Sequence, residues 1–128
     1  MLNKSSGLQV RMFLDIQRGH GDTATSSEIA RRFADRFRKK QWPEQRKLPE
    51  VFFDPRALAA DAQKKACLHA KCIVVDRKDL FVSSANFTEA AQERNVEVGL
   101  LIHSPILAER VQGHFEALVS ANMLARLL

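Results

Sequence analysis

The sequence contains no apolar run long enough to cross a membrane. Hydrophobic residues make up 45% of its 128 residues, but no apolar stretch approaches the roughly 20 residues that a membrane-spanning helix requires. The first seven residues also lack the apolar stretch of a signal peptide. We therefore predict a cytoplasmic protein with no membrane insertion, folded as a single domain over residues 1–128.

Cysteine is scarce, and the two cysteines do not complete a metal site. Cys67 and Cys72 flank His69, which gives three candidate ligands where a structural zinc site needs four. On a strand, the odd separation of the cysteines directs their side chains to opposite faces. We predict no metal here, and we interpret both cysteines as buried thiols in a reducing compartment.

The positive charge is unevenly distributed. The chain has 20 basic and 15 acidic residues, and residues 28–50, called the basic segment below, hold eight of the basic residues against four acidic ones. Two interpretations stay open: the solvated face of an amphipathic helix, or a surface that contacts a phosphate backbone. The candidate nucleic-acid contacts are Arg31, Arg32, Arg38, Lys39 and Lys40.

Strands that alternate with helices predict an α/β domain. The predicted strands are residues 8–15, 51–53, 67–75, 80–83 and 95–102, with a tight turn at residues 76–79. A capping box of Thr25 and Glu28 begins a helix that ends at Trp42-Pro43. Its predicted apolar face is Ile29, Ala30, Phe33, Ala34 and Phe37. Residues 88–94 are predicted as a short helix. Ser104-Pro105 begins the last helix, with predicted core residues Leu107, Val111, Phe115, Leu118 and Val119.

One pattern combines the residue types that attack on a phosphodiester requires. It reads His69-x-Lys71-x4-Asp76-x6-Ser83-Ser84-x-Asn86, and it is followed by Glu97 within an apolar run. On a strand, His69 and Lys71 share one face, and a lysine there is costly to desolvate unless an anion meets it. Ser84 and Asn86 offer hydroxyl and amide donors, and Glu97 needs a partner such as an imidazole N–H. Each residue alone is ordinary, but together they predict a phosphate-handling site.

The pattern resembles the HKD motif of the phospholipase D superfamily, and the likeness extends over residues 68–102. Within that superfamily the chain is most similar to the HKD nucleases and to the phospholipase-D-like branch of the bacterial DISARM anti-phage system. The segments that carry this similarity are Phe53-Asp54-Pro55-Arg56, Leu68-His69-Ala70-Lys71-Cys72 and Ser84-Ala85-Asn86-Phe87-Thr88-Glu89-Ala90-Ala91. The superfamily usually has glycine where this chain has Ser83. We expect Ser83 to be harmless, since the residues before it continue a strand.

The resemblance implies a mixed β-sheet flanked by helices and a covalent mechanism. His69 would attack phosphorus, a second histidine would protonate the leaving oxygen, and Lys71, Ser84 and Asn86 would hold the phosphate oxygens. Glu97 would fix the imidazole tautomer, and Asp76 would orient the structure rather than carry a proton. No metal or cofactor is implied.

The superfamily's site joins two such motifs, whereas this chain has one and begins close to a strand that other members place later. We therefore expect a homodimer, or pairing with a second HKD half; a truncated gene stays open. The expected substrate is nucleic acid, with DNA favoured. The alternatives are a phospholipase or phosphatidyl transferase, against which the absence of tyrosine and the single tryptophan argue, and a non-catalytic accessory module.

Overall fold

The computed structural model describes residues 7–87 and 93–128, which form a mixed α/β structure as predicted. They group into two compact units. Unit 1 is Met1–Leu68 with Asn122–Leu128, and unit 2 is His69–Ala121. The prediction of a single domain stays a prediction.

Unit 1 contains a three-stranded sheet in the order β1-β2-β6. β1 is Arg11–Phe13, β2 is Glu50–Phe53 and β6 is Ala125–Arg126. β1 and β2 are parallel, with Met12 opposite Val51, and β6 pairs with β2 in the antiparallel direction. The predicted strand at residues 8–15 is thus confirmed only for its central three residues.

Helix α1, Ser26–Arg36, begins at the predicted capping box. The Thr25 hydroxyl accepts a hydrogen bond from the Glu28 backbone N–H, and the Glu28 carboxylate accepts one from the Thr25 backbone N–H. A π-helical segment, Phe37–Gln41, follows and ends at Trp42, as predicted from Pro43. The predicted apolar face is confirmed, because Ile29, Ala34 and Phe37 are buried.

The core of unit 1 lies between α1, β2 and a 3-10 turn at Pro55–Leu58. Its buried cluster is Ile16, Ile29, Phe53 and Leu58. Each of these large side chains contributes about 1.5–3 kcal/mol by leaving water. Asp54, also buried, caps the turn by accepting hydrogen bonds from the backbone N–H and the guanidinium of Arg56.

Unit 2 contains an antiparallel sheet in the order β3-β4-β5, where β3 is Cys72–Val75, β4 is Asp79–Ser83 and β5 is Gly99–His103. The predicted tight turn joins β3 to β4. Asp76 and Arg77 both have positive φ, 51° and 55°, and the Lys78 backbone N–H donates to the Val75 carbonyl. Two consecutive positive φ angles closed by this hydrogen bond are features of a type I′ turn, and because Val75 pairs with Asp79 the connection between the strands is three residues long.

Helix α2, Pro105–Ser120, packs against β3 and β4 and begins at the predicted Ser104 cap. Its predicted core face is wrong at its first residue. Leu107 is 42% exposed, whereas Ala108 is fully buried and Leu80 of β4 is 4% exposed. A small residue at position 108 allows the helix to approach the sheet, so Ala108 takes the place of Leu107 on the buried face. Val111, Phe115, Leu118 and Val119 are half-buried.

The predicted helix at residues 88–94 lies mostly outside the described residues. In the described part of the chain, no helix has both the length and the apolar composition that crossing a membrane requires.

Candidate phosphate-binding site

Five of the six residues in the motif lie at one edge of the unit 2 sheet. His69 and Lys71 precede β3, Ser84 and Asn86 follow β4, and Glu97 precedes β5. Because the strands are antiparallel, these positions fall at the same end of the sheet. Two backbone hydrogen bonds continue the pairing there, from Ser83 N–H to the Lys71 carbonyl and from Ser84 N–H to the Val98 carbonyl, each 2.9 Å.

The prediction that His69, Lys71 and Glu97 lie within strands is wrong in detail. β3 begins at Cys72 and β5 at Gly99, so these three residues lie just outside the ladder. The predicted strands 67–75 and 95–102 begin several residues too early, because the pairing with β4 begins only at Cys72 in β3 and at Gly99 in β5. The consequence is that His69 is exposed at the sheet edge, while Lys71 and Glu97 are half-buried.

His69 and Lys71 are in direct contact. The Lys71 Nζ atom lies 3.0 Å from His69 Nδ1 and 3.1 Å from Nε2, and it donates to the His69 carbonyl at 2.9 Å. A neutral imidazole has one nitrogen that accepts and one N–H that donates, so the ammonium donates to only one of the two, which the tautomer decides, and to the carbonyl. Nζ is therefore held beside the ring, and an anion that reaches this ammonium is also within reach of the imidazole.

Glu97 is bound to Ser84. The Ser84 hydroxyl donates to Glu97 Oε2 at 2.5 Å and accepts from the Val98 backbone N–H at 3.1 Å. Asn95 Nδ2 donates to Glu97 Oε1 at 3.3 Å. No hydrogen bond joins Glu97 to His69 within residues 7–87 and 93–128, so the role of Glu97 in fixing the imidazole tautomer stays a prediction.

Asp76 lies at the opposite end of the sheet from the other five residues. It is exposed in the β3–β4 turn, and the whole of β3 separates it from Lys71. A short polar side chain tolerates the positive φ of this position better than a bulky one does. The role of Asp76 in orienting the structure rather than carrying a proton stays a prediction.

Ser83 causes no strain where the motif usually has glycine. It is the last residue of β4 and its φ is not positive, as predicted. Its hydroxyl accepts a hydrogen bond from the Ala85 backbone N–H at 3.0 Å and donates to the Val98 carbonyl at 3.5 Å. Ser83 therefore helps to shape the chain as it leaves β4 toward Asn86, a role that the motif alone did not predict.

Both cysteines are less buried than predicted. Cys67 is exposed rather than buried, and its thiol contacts Asp15 at 3.4 Å. Cys72 is half-buried, and burial raises the pKa of its thiol. Within the described residues, no group of three or more His, Cys, Asp or Glu side chains is placed to hold a metal ion.

The basic segment lies in unit 1 and follows α1 into the π-helical turn. Some of its cations are already engaged: Arg32 pairs with Asp22 at 2.8 Å, and Arg38 lies 3.7 Å from Asp35. Lys39 and Lys40 are exposed and form no ion pair with any carboxylate that the structure describes. Arg31 is also exposed, and it lies close enough to Glu28 for the two opposite charges to attract each other.

An ammonium, an imidazole, hydroxyls and a carboxylate lie at one sheet edge, and these are groups that can bind and attack a phosphate ester. The family comparison agrees, because the family model described as "cardiolipin synthase, PLD-like domain" matches residues 3–119. The chain therefore belongs to the phospholipase D superfamily. No curated protein and no solved structure gives a significant match.

Proposed function

We propose that this protein is a metal-independent phosphodiesterase that cleaves nucleic acid through a phosphohistidine intermediate. The observation that carries the proposal is the cluster at the sheet edge, where Lys71 contacts His69 and Ser84 holds Glu97. Superfamily membership supports phosphodiester chemistry in general. The substrate and a role in anti-phage defence rest on the sequence resemblance and on charge.

The proposed reaction has two steps. A ring nitrogen of His69 attacks phosphorus while the bond to the leaving oxygen breaks, and His69 of a second copy gives that oxygen its proton. The second imidazole then takes a proton from water, the resulting hydroxide attacks phosphorus, and the bond to His69 breaks. Lys71 and Asn86 stabilise the charge on the non-bridging oxygens in both transition states. Ser84 contributes its hydroxyl once the phosphate competes with Glu97 for it.

Nucleic acid is the favoured substrate because of where the positive charge lies. Unit 1 has fifteen Lys and Arg against eight Asp and Glu, whereas unit 2, which carries the motif, has five against seven. A long polyanion can contact a cationic surface as well as a reactive centre, which a small phosphate ester cannot. Lys39 and Lys40 are the strongest candidates for phosphate contacts, since neither is neutralised by a described carboxylate.

The proposed contact of Lys39 and Lys40 with DNA phosphates is tested by measuring DNA binding at several salt concentrations. Replacing both lysines by glutamine should weaken binding at low salt and reduce the slope of log affinity against log salt by about two, because two phosphate contacts are lost. Arg32→Gln is the matched control, since that cation is already paired with Asp22. An unchanged slope in the lysine variant would exclude this surface.

The chemistry is tested by incubating labelled DNA with the protein in EDTA. Wild-type protein should cleave, and His69→Ala should not. His20→Ala is the control, because His20 is an exposed histidine in a unit 1 loop and has no part in the motif. Full activity in His69→Ala would refute the proposal.

A second candidate is a phosphatidyl transferase, favoured by the description of the matching family model. Exposed apolar side chains near the motif also favour it: Phe87 is 58% exposed and Val96 fully exposed. This candidate predicts headgroup release from phospholipid vesicles and no cleavage of DNA, and the opposite result excludes it.

A further inference from the structure

Three aromatic rings of unit 1 form a stacked column that ends at the protein surface. Phe33 stacks on Phe37 with 6.4 Å between the ring centroids, and Phe37 stacks on Trp42 with 5.8 Å between them. Phe37 is 4% exposed, whereas Trp42 is half-buried. Because the contact with Phe37 shields one side of the indole from water, the exposed surface of the indole lies on the side away from Phe37. The column therefore ends in an aromatic surface that a further ring can reach.

Two hydrogen bonds hold the Trp42 ring in place. The Trp42 backbone N–H donates to the Phe37 carbonyl at 3.0 Å across the π-helical turn, and the indole Nε1 donates to the Lys47 carbonyl at 3.2 Å. Residues five apart do not share a face of an α-helix, so the wider π-helical turn is what returns the indole to Phe37. Such turns are frequent at functional sites. A ring fixed in this way loses little conformational freedom when a ligand stacks on it.

Positive charge is concentrated around Trp42 in the sequence. Residues 36–47 hold six Lys and Arg against one carboxylate, Glu44. All six cations are exposed: Arg36, Arg38, Lys39, Lys40, Arg46 and Lys47. Trp42 and these cations are called the aromatic basic surface below. A ligand that carries aromatic rings on a phosphate backbone matches both of its components, since the rings stack on the indole and the phosphates meet the cations.

We propose that the aromatic basic surface binds single-stranded nucleic acid, with one base stacked on Trp42 and neighbouring phosphates on Lys39 and Lys40. The bases of a single strand are free to leave their neighbours and stack on a protein ring, whereas the bases of a duplex cover each other's faces. A duplex therefore uses only the cations of this surface. The inference rests on the proposed function in taking nucleic acid as the substrate, and it adds that this substrate is single-stranded.

An acidic protein segment is the less favoured partner. Its carboxylates match the cations of the aromatic basic surface, but Asp and Glu side chains have no ring face to place on Trp42. Polyglutamate is therefore included among the probes below, so that this alternative is an outcome of the same experiment.

The fluorescence of Trp42 reports the proposed contact directly. The chain has one tryptophan and no tyrosine, so its indole emission comes from Trp42 alone. The full chain carrying His69→Ala, which the proposed mechanism makes unable to cleave, is titrated in EDTA with oligothymidylate, a duplex of the same length, inorganic polyphosphate and polyglutamate. Oligothymidylate should quench the emission to a plateau, because a stacked base contacts the ring. Polyphosphate and the duplex should bind through the cations and leave the emission nearly unchanged.

Variants made in the same His69→Ala background separate stacking from charge. Trp42→Leu removes the ring and should weaken oligothymidylate binding about tenfold or more, with duplex binding unchanged, as measured by anisotropy of labelled probes. Trp42→Phe retains a ring and should retain most of the affinity. Phe33→Leu is the matched control, since it removes a half-buried ring of the same column and leaves Trp42 and the cations in place. Melting temperatures check folding, and the emission of the chain that keeps Trp42 is a readout that needs no variant of this ring.

Three results would overturn the proposal. The first is oligothymidylate binding, or its absence, with no change in Trp42 emission. The second is a folded Trp42→Leu variant that binds oligothymidylate as tightly as its parent. The third is quenching by polyglutamate or by the duplex as strong as that by oligothymidylate, and with polyglutamate this result would assign the surface to acidic proteins.

The same titrations separate this inference from the proposed function. Quenching by oligothymidylate supports the aromatic basic surface even where the wild-type protein cleaves no DNA, a result that would refute only the chemistry. Cleavage by the wild-type protein, with no quenching by oligothymidylate, would overturn the surface and leave the chemistry standing.

Discussion

Replacing Gly99 by alanine should destabilise the protein through one contact. A Cβ atom at this position would lie 2.9 Å from both Cε2 and Cζ of Phe81, and 3.5 Å from the Val82 carbonyl oxygen. Ordinary carbon–carbon contacts are about 3.5–4.0 Å. The Phe81 ring must therefore move, and its cross-strand neighbours Ile73 and Leu101 oppose that movement on the same sheet face.

Two terms of opposite sign set the size of the effect. Overpacking costs about 1–3 kcal/mol, whereas replacing glycine by alanine within a strand recovers roughly 0.5–1 kcal/mol of backbone entropy. The net loss in the free energy of unfolding should be about 0–2.5 kcal/mol.

The assay is urea unfolding of four proteins: wild type, Gly99→Ala, Phe81→Ala and the double variant. In the Phe81→Ala background the clashing ring atoms are gone, so adding Gly99→Ala should be neutral or stabilising by about 0.5 kcal/mol. The same loss in both backgrounds would show that the ring is not the cause, and a more stable Gly99→Ala single variant would refute the reasoning outright.

Three further predictions follow from single contacts. Arg77→Gly should stabilise the protein by about 0.5–1 kcal/mol in urea unfolding, since glycine relieves the positive φ of the type I′ turn. Asp54→Asn should cost roughly 1.5–3 kcal/mol at pH 7 because charged hydrogen bonds from Arg56 are lost. Arg56 holds the pKa of Asp54 below its usual range, so this stabilisation is present above the unfolded pKa near 4 and is lost as pH falls through the folded value; the two proteins should converge in acid. Ser84→Ala should reduce DNA cleavage about 10²-fold with little change in melting temperature.

Local signals predicted much of the fold. The Thr25 and Ser104 caps, the buried face of α1 and the β3–β4 turn were all visible in short stretches of sequence, because each depends on neighbours within a few residues. Tertiary packing decided the rest. Strand ends depend on whether a neighbouring strand is present, and the face that α2 buries depends on the close approach that Ala108 permits.

The candidate site was predictable in composition but not in its internal contacts. Spacing alone indicated that five motif residues fall at one end of the sheet, since an antiparallel hairpin returns the chain to the end from which it started. It did not predict that Glu97 binds Ser84, nor that Asn95 and Ser83 support that edge. A polar residue two positions before Glu97 was the available signal for Asn95, but it does not specify a partner.

The most direct test of the central claim is to trap the covalent intermediate. Brief reaction of labelled DNA with the protein in EDTA, followed by acid-free denaturation, should leave an acid-labile phosphate bond on His69, detected by mass spectrometry. His20→Ala should give the same adduct, and His69→Ala should give none. DNA cleavage without any adduct on His69, or with an adduct that persists in His69→Ala, would contradict the account.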